Sequence, residues 1–407
     1  MQQTYCFHTY PNGVRLVHRH VDSCMGHFGV TINAGSRDEH SDENGIAHFI
    51  EHCIFKGTKK RTAFHILNRI DGVGGELNAF TTKEETCVYA SFLKQYYQRT
   101  INLLDDIVFH SVFPQKELEK EKDVVIDEIY SYEDTPAELI YDEFEQMVFG
   151  RNGLGRLILG TPEKVKKFSS EDLLKFIHRT YCTDEIVLSS VGNVNFDKLI
   201  QWCKCFGEEY PRQNTHRRIA PRNYVPKIKE VNKDTHQTHC VLGNVAYGYK
   251  SRKKTAFAIL NNLLGGPALN SLLNIGIREK YGFTYSLESN YTAYSDTGLF
   301  TVYAGTDEKA MDKTLNLIYK EMKKLQTKKL SVTRLHQFQQ QLIGQLLMNI
   351  EQNQQEMLSM GKALLNFDRV DTLTDIQKDI FSVTPEQILE VANEIFDQNR
   401  ISQLIYK

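Results

Sequence analysis

The sequence predicts an α+β protein built from two homologous units, each a mixed or antiparallel sheet packed with helices. Three observations carry this reading. The chain has 407 residues, more than one ordinary core supports. Segments with strand and helix periodicity follow one another in mixed order. The order in the second half also repeats that of the first. Thr62-Ala63-Phe64-His65-Ile66-Leu67-Asn68 is echoed by Thr255-Ala256-Phe257-Ala258-Ile259-Leu260-Asn261, and each runs soon after into a glycine pair. Duplication of one unit accounts for both the order and the length.

Val14–His20 and His27–Ala34 alternate or run apolar and read as strands. Asn44–Phe55 and Thr62–Gly72 read as helices. Gly75–Thr81 and Thr86–Phe92 read as strands joined by a polar turn. Gly72-x-Gly74-Gly75 leads into a strand and not a helix, which argues against a phosphate loop. A helical tract runs from Lys94 to Gly150, with breaks near Pro114 and Pro136, where proline supplies no N–H. Ser169–Tyr181 reads as a helix with Ser170 as its N-cap, followed by the strand Glu185–Val191. Gly207–Pro226 then changes character. Pro211, Pro221, Pro226 and the basic cluster His216-Arg217-Arg218, with few apolar residues, read as a linker. The expected domains are 1–207 and 227–407, with 208–226 between them. In the second half His239–Tyr249, Phe283–Tyr291 and Gly298–Gly305 read as strands. Both halves close with a helix and then a strand, the second with Thr384–Phe396 and Ile401–Tyr406. The apolar stripe in Leu330–Ile350 reads as core.

Composition narrows the function. Apolar residues make up 41% and charged residues 25%, and 49 basic against 51 acidic residues leave a net charge of −2. This balance gives no bulk attraction to nucleic acid or an anionic membrane. No stretch approaches the roughly 20 apolar residues of a membrane span. The start has neither a basic nor an apolar leader region, so a cytoplasmic location is expected. Eight scattered cysteines without a CxxC pair fit a reducing compartment; Cys203-x-Cys205 lies on a helical pattern, where the two face apart.

The sharpest signal is His48-Phe49-Ile50-Glu51-His52. On a helix, positions i and i+4 share a face, so both histidines can address one ion. Imidazole suits Zn²⁺, and Glu51 beside them can touch a water there without being a ligand. A third ligand must come from elsewhere. Glu117 to Ile129 reads as a helix after Pro114, and Glu121 and Glu128 are seven apart on one stripe with Leu118, Val124, Val125 and Ile129 nearby. A carboxylate on an apolar stripe needs a partner, and a metal is one. A solvated charged face suits Glu117, Glu119, Lys120 and Lys122 better. Other features carry less. His18 and His20 have a metal-like spacing on a strand but are expected to face solvent. Glu138, Asp142, Glu143 and Glu145 read as a solvated helix face.

At this point the residues resemble a known family. His48 to Thr58 looks like the signature of the M16 peptidases, which include pitrilysin, insulin-degrading enzyme and mitochondrial processing peptidase. That family places a glutamate ligand about 75 residues after its second histidine, and here 75 residues separate His52 from Glu128. Its second acid, seven before the ligand, matches Glu121. Gly74-Gly75-Glu76-Leu77-Asn78-Ala79-Phe80-Thr81 resembles the element on the strand edging the active site. Arg278 and Tyr285, in Arg278-Glu279-Lys280-Tyr281-Gly282-Phe283-Thr284-Tyr285-Ser286, resemble the family's substrate-clamping pair. Cys53, where Met is common, and Phe283-Thr284, where Leu-Ala is usual, depart from the pattern.

The resemblance implies a zinc endopeptidase forming half of a clamshell. His48, His52 and Glu128 would hold one Zn²⁺ per active subunit. Glu51 would act as general base, Glu121 would orient a histidine, and Arg278 and Tyr285 would clamp the substrate. Asn78, Ala79, Phe80 and Thr81 would bind a peptide as an added strand. The implied partners are peptide substrates and a second subunit, in a homodimer or a heterodimer with a related chain, with neither nucleic acid nor membrane. The alternative is a non-catalytic scaffold or partner subunit of the same family, against which the intact His48/Glu51/His52/Glu128 set speaks. A zinc-binding protein without hydrolysis would need neither Glu51 nor the Arg278/Tyr285 pair.

Overall fold

The computed structural model describes residues 4–407 except 205, 209, 211, 213–216, 234 and the side chain of 285. The strands are β1 (Tyr5–Thr9), β2 (Arg15–His20), β3 (Met25–Ile32), β4 (Glu76–Thr81), β5 (Thr86–Leu93), β6 (Ile186–Gly192), β7 (Ile228–Val231), β8 (Thr238–Ala246), β9 (Thr284–Ala293), β10 (Gly298–Thr306) and β11 (Ser402–Tyr406). The helices are α1 (Ile46–Cys53), α2 (Ala63–Ile70), α3 (Tyr97–Phe109), α4 (Gln115–Glu133), α5 (Pro136–Phe149), α6 (Pro162–Val165), α7 (Ser170–Thr180), α8 (Phe196–Trp202), α9 (Lys254–Gly265), α10 (Glu308–Thr327), α11 (Val332–Ile350), α12 (Asn353–Phe367), α13 (Leu373–Phe381) and α14 (Pro385–Ile395).

These elements form two compact units, Met1–Tyr130 with Arg156–Arg218 and Met348–Thr372, and Ser131–Gly155 with Ile219–Leu347 and Leu373–Lys407. The first holds a six-stranded sheet, β1-β2-β6-β3-β5-β4, and the second a five-stranded sheet, β7-β11-β8-β10-β9. In each, one parallel pair (β2 with β6, β7 with β11) is followed by antiparallel neighbours. The two sheets therefore share order and sense, with β1 added at the edge of the first.

Each half of the sequence places one helix in the unit of the other half. In the first unit, α12 covers one face of the sheet: Met357, Met360, Leu364 and Leu365 pack with Val17, Val187 and Val191. Arg19 of β2 pairs with the buried Glu356, and Lys362 with Glu85. In the second unit, Ile140, Phe144, Val148 and Phe149 of α5 pack with Val241, Leu299, Leu404 and Tyr406. The opposite sheet faces carry the two large cores, around Phe28, Phe49 and Leu188 in one and around Phe257, Phe300 and Phe396 in the other. An apolar sheet face must be buried against another element, and here both faces are. The chain passes from one unit to the other at 218/219, inside the expected linker 208–226, but 131–155 and 348–372 are exchanged, because the covering helix of each sheet comes from the distant half of the chain.

Several local expectations are corrected. Ser169, and not Ser170, caps α7: its hydroxyl accepts from the Asp172 N–H in a capping box. His18 is buried; its Nδ1 lies 3.1 Å from Ser190 Oγ and its ring stacks on Phe196. Arg218, expected in a solvated linker, is clamped by Asp38 Oδ1 and Oδ2 at 2.8 and 2.7 Å and by Asn33 Oδ1 at 2.8 Å. Cys205 and His216 lie outside the described residues. The expected repeat of Thr62–Asn68 in Thr255–Asn261 is also displaced. In the second unit α9 packs on β9 and α14, as α1 packs on β4 and α7 in the first. The counterpart of α9 is therefore α1, not α2; short apolar helical runs look alike whatever they pack against.

Gly45, the N-cap of α1, has φ +98, and a Cβ there would meet Gly160 Cα at 2.8 Å and Leu159 O at 2.9 Å. Gly74 has a similar φ of +75 but open space around it. Gly45→Ala is expected to lose roughly 2–4 kcal/mol through clash and strain together, and Gly74→Ala about 1–2 kcal/mol through strain alone. Thermal melting of both variants checks the order, which equal losses would contradict.

Candidate metal centre

The site is assembled on α1, α4 and the edge strand β4, all in the first unit. The apolar residues Phe49, Ile50 and Cys53 anchor α1 in the core. Its other face then presents His48 and His52, whose rings lie 4.7 Å apart between centroids. Leu118, Val125 and Ile129 bury α4, and Glu121 and Glu128 stand on the flank that meets α1. Val124, expected near that stripe, is half exposed, and Lys122 is buried, the reverse of a solvated face.

Glu128 approaches both imidazoles, with Oε1 3.8 Å from His48 Nε2 and Oε2 3.2 Å from His52 Nε2. His48, His52 and Glu128 each offer one ligand atom, all within 4.8 Å of one another. Two donors about 2 Å from one tetrahedral ion lie about 3.3 Å apart, so this donor set fits a zinc ion with only side-chain adjustment. The other His52 nitrogen is fixed: Nδ1 lies 3.0 Å from Glu121 Oε1. That bond selects the tautomer with Nε2 unprotonated toward Glu128. Lys56 holds the second Glu121 oxygen at 2.7 Å. Lys56 escaped the sequence reading, although its place one turn after His52 is the available signal.

The electrostatics agree. Burial, and then His52, lower the His48 imidazole to about 3, so it is a neutral donor. Burial alone would lower His52, but the hydrogen bond to Glu121 and the charges of Glu128, Glu121 and Glu51 raise it above 6.5. Burial raises the Glu51 carboxyl, and neighbouring Thr81 partly offsets this. Burial also opposes ionisation of Glu121, yet its bonds to His52 and Lys56 hold it below its ordinary value.

The strand segment Asn78–Thr81 lies in β4, which among the described residues pairs with β5 alone and forms the sheet edge. Thr81 adjoins Glu51. Arg278 belongs to the second unit, half-buried in a π-helical turn, Asn274–Glu279. Tyr285 lies at the start of β9, and its side chain is outside the described residues. The structure thus brings His48, Glu51, His52, Glu121, Glu128 and Thr81 together in one unit.

Two histidines one turn apart and a carboxylate facing both form a candidate metal centre. The comparisons give the family. Residues 19–162 match Insulinase (Peptidase family M16), and residues 167–342 match Peptidase M16 inactive domain. The chain is 32% identical to the uncharacterized zinc protease YmxG of Bacillus subtilis over 399 residues, covering 98% of this chain and 97% of that protein. It is 34% identical to an uncharacterized zinc protease of Rickettsia felis, covering 95% and 93%. A protease from Helicobacter pylori shares the fold at TM-score 0.89 and 22% identity over the whole of both chains. The chain belongs to peptidase family M16.

Because His52 sits above 6.5 in the metal-free protein, zinc must displace its proton near neutral pH. Zinc affinity is therefore expected to rise with pH through 6 to 7, by up to about tenfold per unit for one proton. Calorimetry in buffers of different ionisation enthalpy should show proton release at pH 6 that diminishes as pH is raised. Binding with no released proton at pH 6 would contradict the His52–Glu121 assignment.

Proposed function

We propose that the protein is a zinc-dependent endopeptidase that cleaves unstructured peptides. The observation that carries this is the convergence of His48, His52 and Glu128 with Glu51 one step away and an open strand edge alongside. When bound, zinc lowers the pKa of a water and polarises a peptide carbonyl. Glu51 accepts the proton of the attacking water and delivers it to the leaving amine. Its carboxyl, raised by burial, is nearer the working pH than an exposed glutamate and suits both transfers. Glu121 keeps His52 Nδ1 engaged throughout, so the ring does not turn. β4 offers its free edge, where Asn78, Ala79, Phe80 and Thr81 can pair with an extended peptide. That mode reads the backbone and tolerates varied side chains. A scaffold role needs no carboxylate at 51, whereas hydrolysis does.

Glu51→Gln keeps the shape and removes proton acceptance. It is expected to retain zinc by metal analysis while cleavage of a quenched peptide falls roughly 10²–10⁴-fold. Near wild-type turnover would overturn the reading.

We further propose that two subunits complete the chamber, with Arg278 and Tyr285 of one chain serving the centre of its partner. The support is the M16 resemblance together with the two-unit chain. Zinc centre and clamp then sit on bodies that separate to admit substrate. Glu51→Gln and Arg278→Ala/Tyr285→Phe homodimers should each be nearly inactive. Mixed under conditions of subunit exchange, they should regain up to about half the activity per hybrid dimer. No regain, or full activity in a strict monomer, would contradict it.

A further inference from the structure

Beside the metal centre lies a second built feature that the proposed reaction does not use. The loop Lys56–His65 and the start of α4 enclose a pocket of about 660 Å³. Its wall carries Lys56, Lys59, Lys60, Arg61 and Lys116, with Phe64 and Pro114 as apolar surface. Two of these cations are already partnered, Arg61 by the buried Asp106 and Lys56 by Glu121. The lining Glu117 is engaged by Lys120 at 2.9 Å. Lys59, Lys60 and Lys116 are exposed. No carboxylate among the described residues lies within ion-pair distance of them. Three ammonium groups without an ion pair around one concavity repel one another and attract an anion, although the charge of Asp105 reaches Lys60. The positive end of the α4 macrodipole adds to that field.

The wall is rigid. Thr58 Oγ1 accepts from the N–H groups of Lys60 and Arg61 at 3.1 and 2.9 Å and donates to Asp106 at 2.7 Å. The Lys59 N–H donates to His110 O at 3.1 Å and the Val112 N–H to Gly57 O at 3.1 Å. Gly57 has φ +154, and a Cβ there would press on the Pro114 ring at 3.2 Å. A ligand therefore meets lysines on a fixed backbone, which lowers the ordering cost of binding.

Its position relates it to the metal centre. Glu117, Glu121 and Glu128 are spaced by four and seven residues and so share one stripe of α4. Lys56 lines the pocket and also holds Glu121. At 1.5 Å per residue, the α4 residues that line the pocket, Glu117 and Lys116, lie about 17 to 18 Å along the helix from Glu128. An extended peptide spans that with about five to six residues at 3.3 Å each.

We propose that this pocket is a substrate subsite that receives a carboxylate of the peptide, about five to six residues from the bond cut. The carboxylate comes from an Asp or Glu side chain or from the peptide's C-terminus. This rests on the peptidase reading above and adds a charge preference to it.

The test uses zinc-loaded full-length enzyme and an unstructured, C-terminally amidated, quenched peptide of neutral composition. One Asp is moved through it position by position. A second arm uses the neutral peptide as free acid, trimmed so that the C-terminus falls about five to six residues from the cut. The expected result is a roughly five- to twentyfold rise in kcat/KM, mostly through KM, for Asp at those positions, weakening with salt. A gain in the Asp arm only assigns the pocket to side chains, and a gain in the free-acid arm only assigns it to the terminus. In Lys59→Gln/Lys60→Gln/Lys116→Gln the preference should vanish while the neutral peptide is cut as before. Binding of fluorescent versions of the same peptides to Glu51→Gln enzyme gives a readout that needs no turnover. If no peptide is cut but the Asp preference in binding is present and lysine-dependent, the enzymatic reading fails and the subsite stands. Equal binding and cleavage of all peptides, or a preference that survives the triple substitution, overturns the subsite.

Discussion

The buried carboxylate of Glu39 holds the helix on which the metal centre depends. Helix α1 has only eight residues and a glycine N-cap with no side chain to offer. A helix this short is marginal alone, and its first N–H groups need acceptors. Glu39 supplies them: Oε1 accepts from the Ala47 N–H at 3.0 Å, and Oε2 from the Gly45 N–H at 3.1 Å and Asn44 Nδ2 at 3.2 Å. Asn44 is spent on Glu39 and on Leu157 O, which is why it starts no helix of its own. Burial pushes the Glu39 carboxyl up to about 8, against the three donors that pull it down. The native state therefore keeps this proton more tightly than the unfolded chain. Its contribution to stability falls as pH rises from about 4.5 toward 8. The neighbouring residues are braced as well. Arg37 pairs with Glu84, Arg218 with Asp38, and Arg179 with Glu43.

The order of these supports explains the division of labour in the site. Buried apolar residues set the axis of α1 and α4, and the Glu39 cap sets where α1 begins. The chain Lys56–Glu121–His52–Glu128 then sets the rotation of one imidazole. Each carboxylate in that chain has a different environment. Glu128 is the most exposed and faces both histidines, Glu121 is buried and held by a cation, and Glu51 is raised by burial. Three glutamates thus acquire three roles through solvation and partners.

The periodic parts of this arrangement were legible in the sequence. His48 and His52 are one turn apart, and Glu121 and Glu128 two turns apart, so helix geometry alone pairs them. The edge strand around Asn78–Thr81 followed from alternation and flanking glycines. What periodicity cannot register is a contact between distant segments with no spacing rule. Glu39 reaches back to α1 from outside any capping-box spacing, and the only hint was a helix start lacking a good N-cap. Arg218 sits in a proline-rich, basic stretch that composition assigns to solvent, yet two carboxylates and an amide bury it. The placement of α5 and α12 was equally hidden, since an amphipathic helix does not say which sheet it will cover. His18 looked solvent-facing because its strand alternates, but α8 closes over that face with Phe196.

Duplication with one metal centre also has a physical account in the core. The sheets of the two units share order and sense, and α9 stands where α1 stands. Matching Gly57 to Gly266, each following its helix, sets Phe257, Leu260 and Asn261 against His48, Glu51 and His52. Phe257 and Leu260 are fully buried, and Phe257 packs edge-on with Tyr291 and Phe300. Where the first unit spends one helix face on imidazoles that must stay reachable, the second closes the same face with aromatic contact. A phenylalanine at that point gains burial and an aromatic cluster. An imidazole there carries desolvation and needs a partner for each nitrogen. In the first unit, Glu121 and Glu128 on α4 answer for His52 and face His48, whereas the corresponding α11 meets its core with Leu335, Phe338 and Ile343. The two units have thus diverged on two helices together. Histidines without the acids would be stranded in a core, and acids without the histidines would face an apolar wall. That coupling is why one copy of the fold carries the whole donor set and the other none of it.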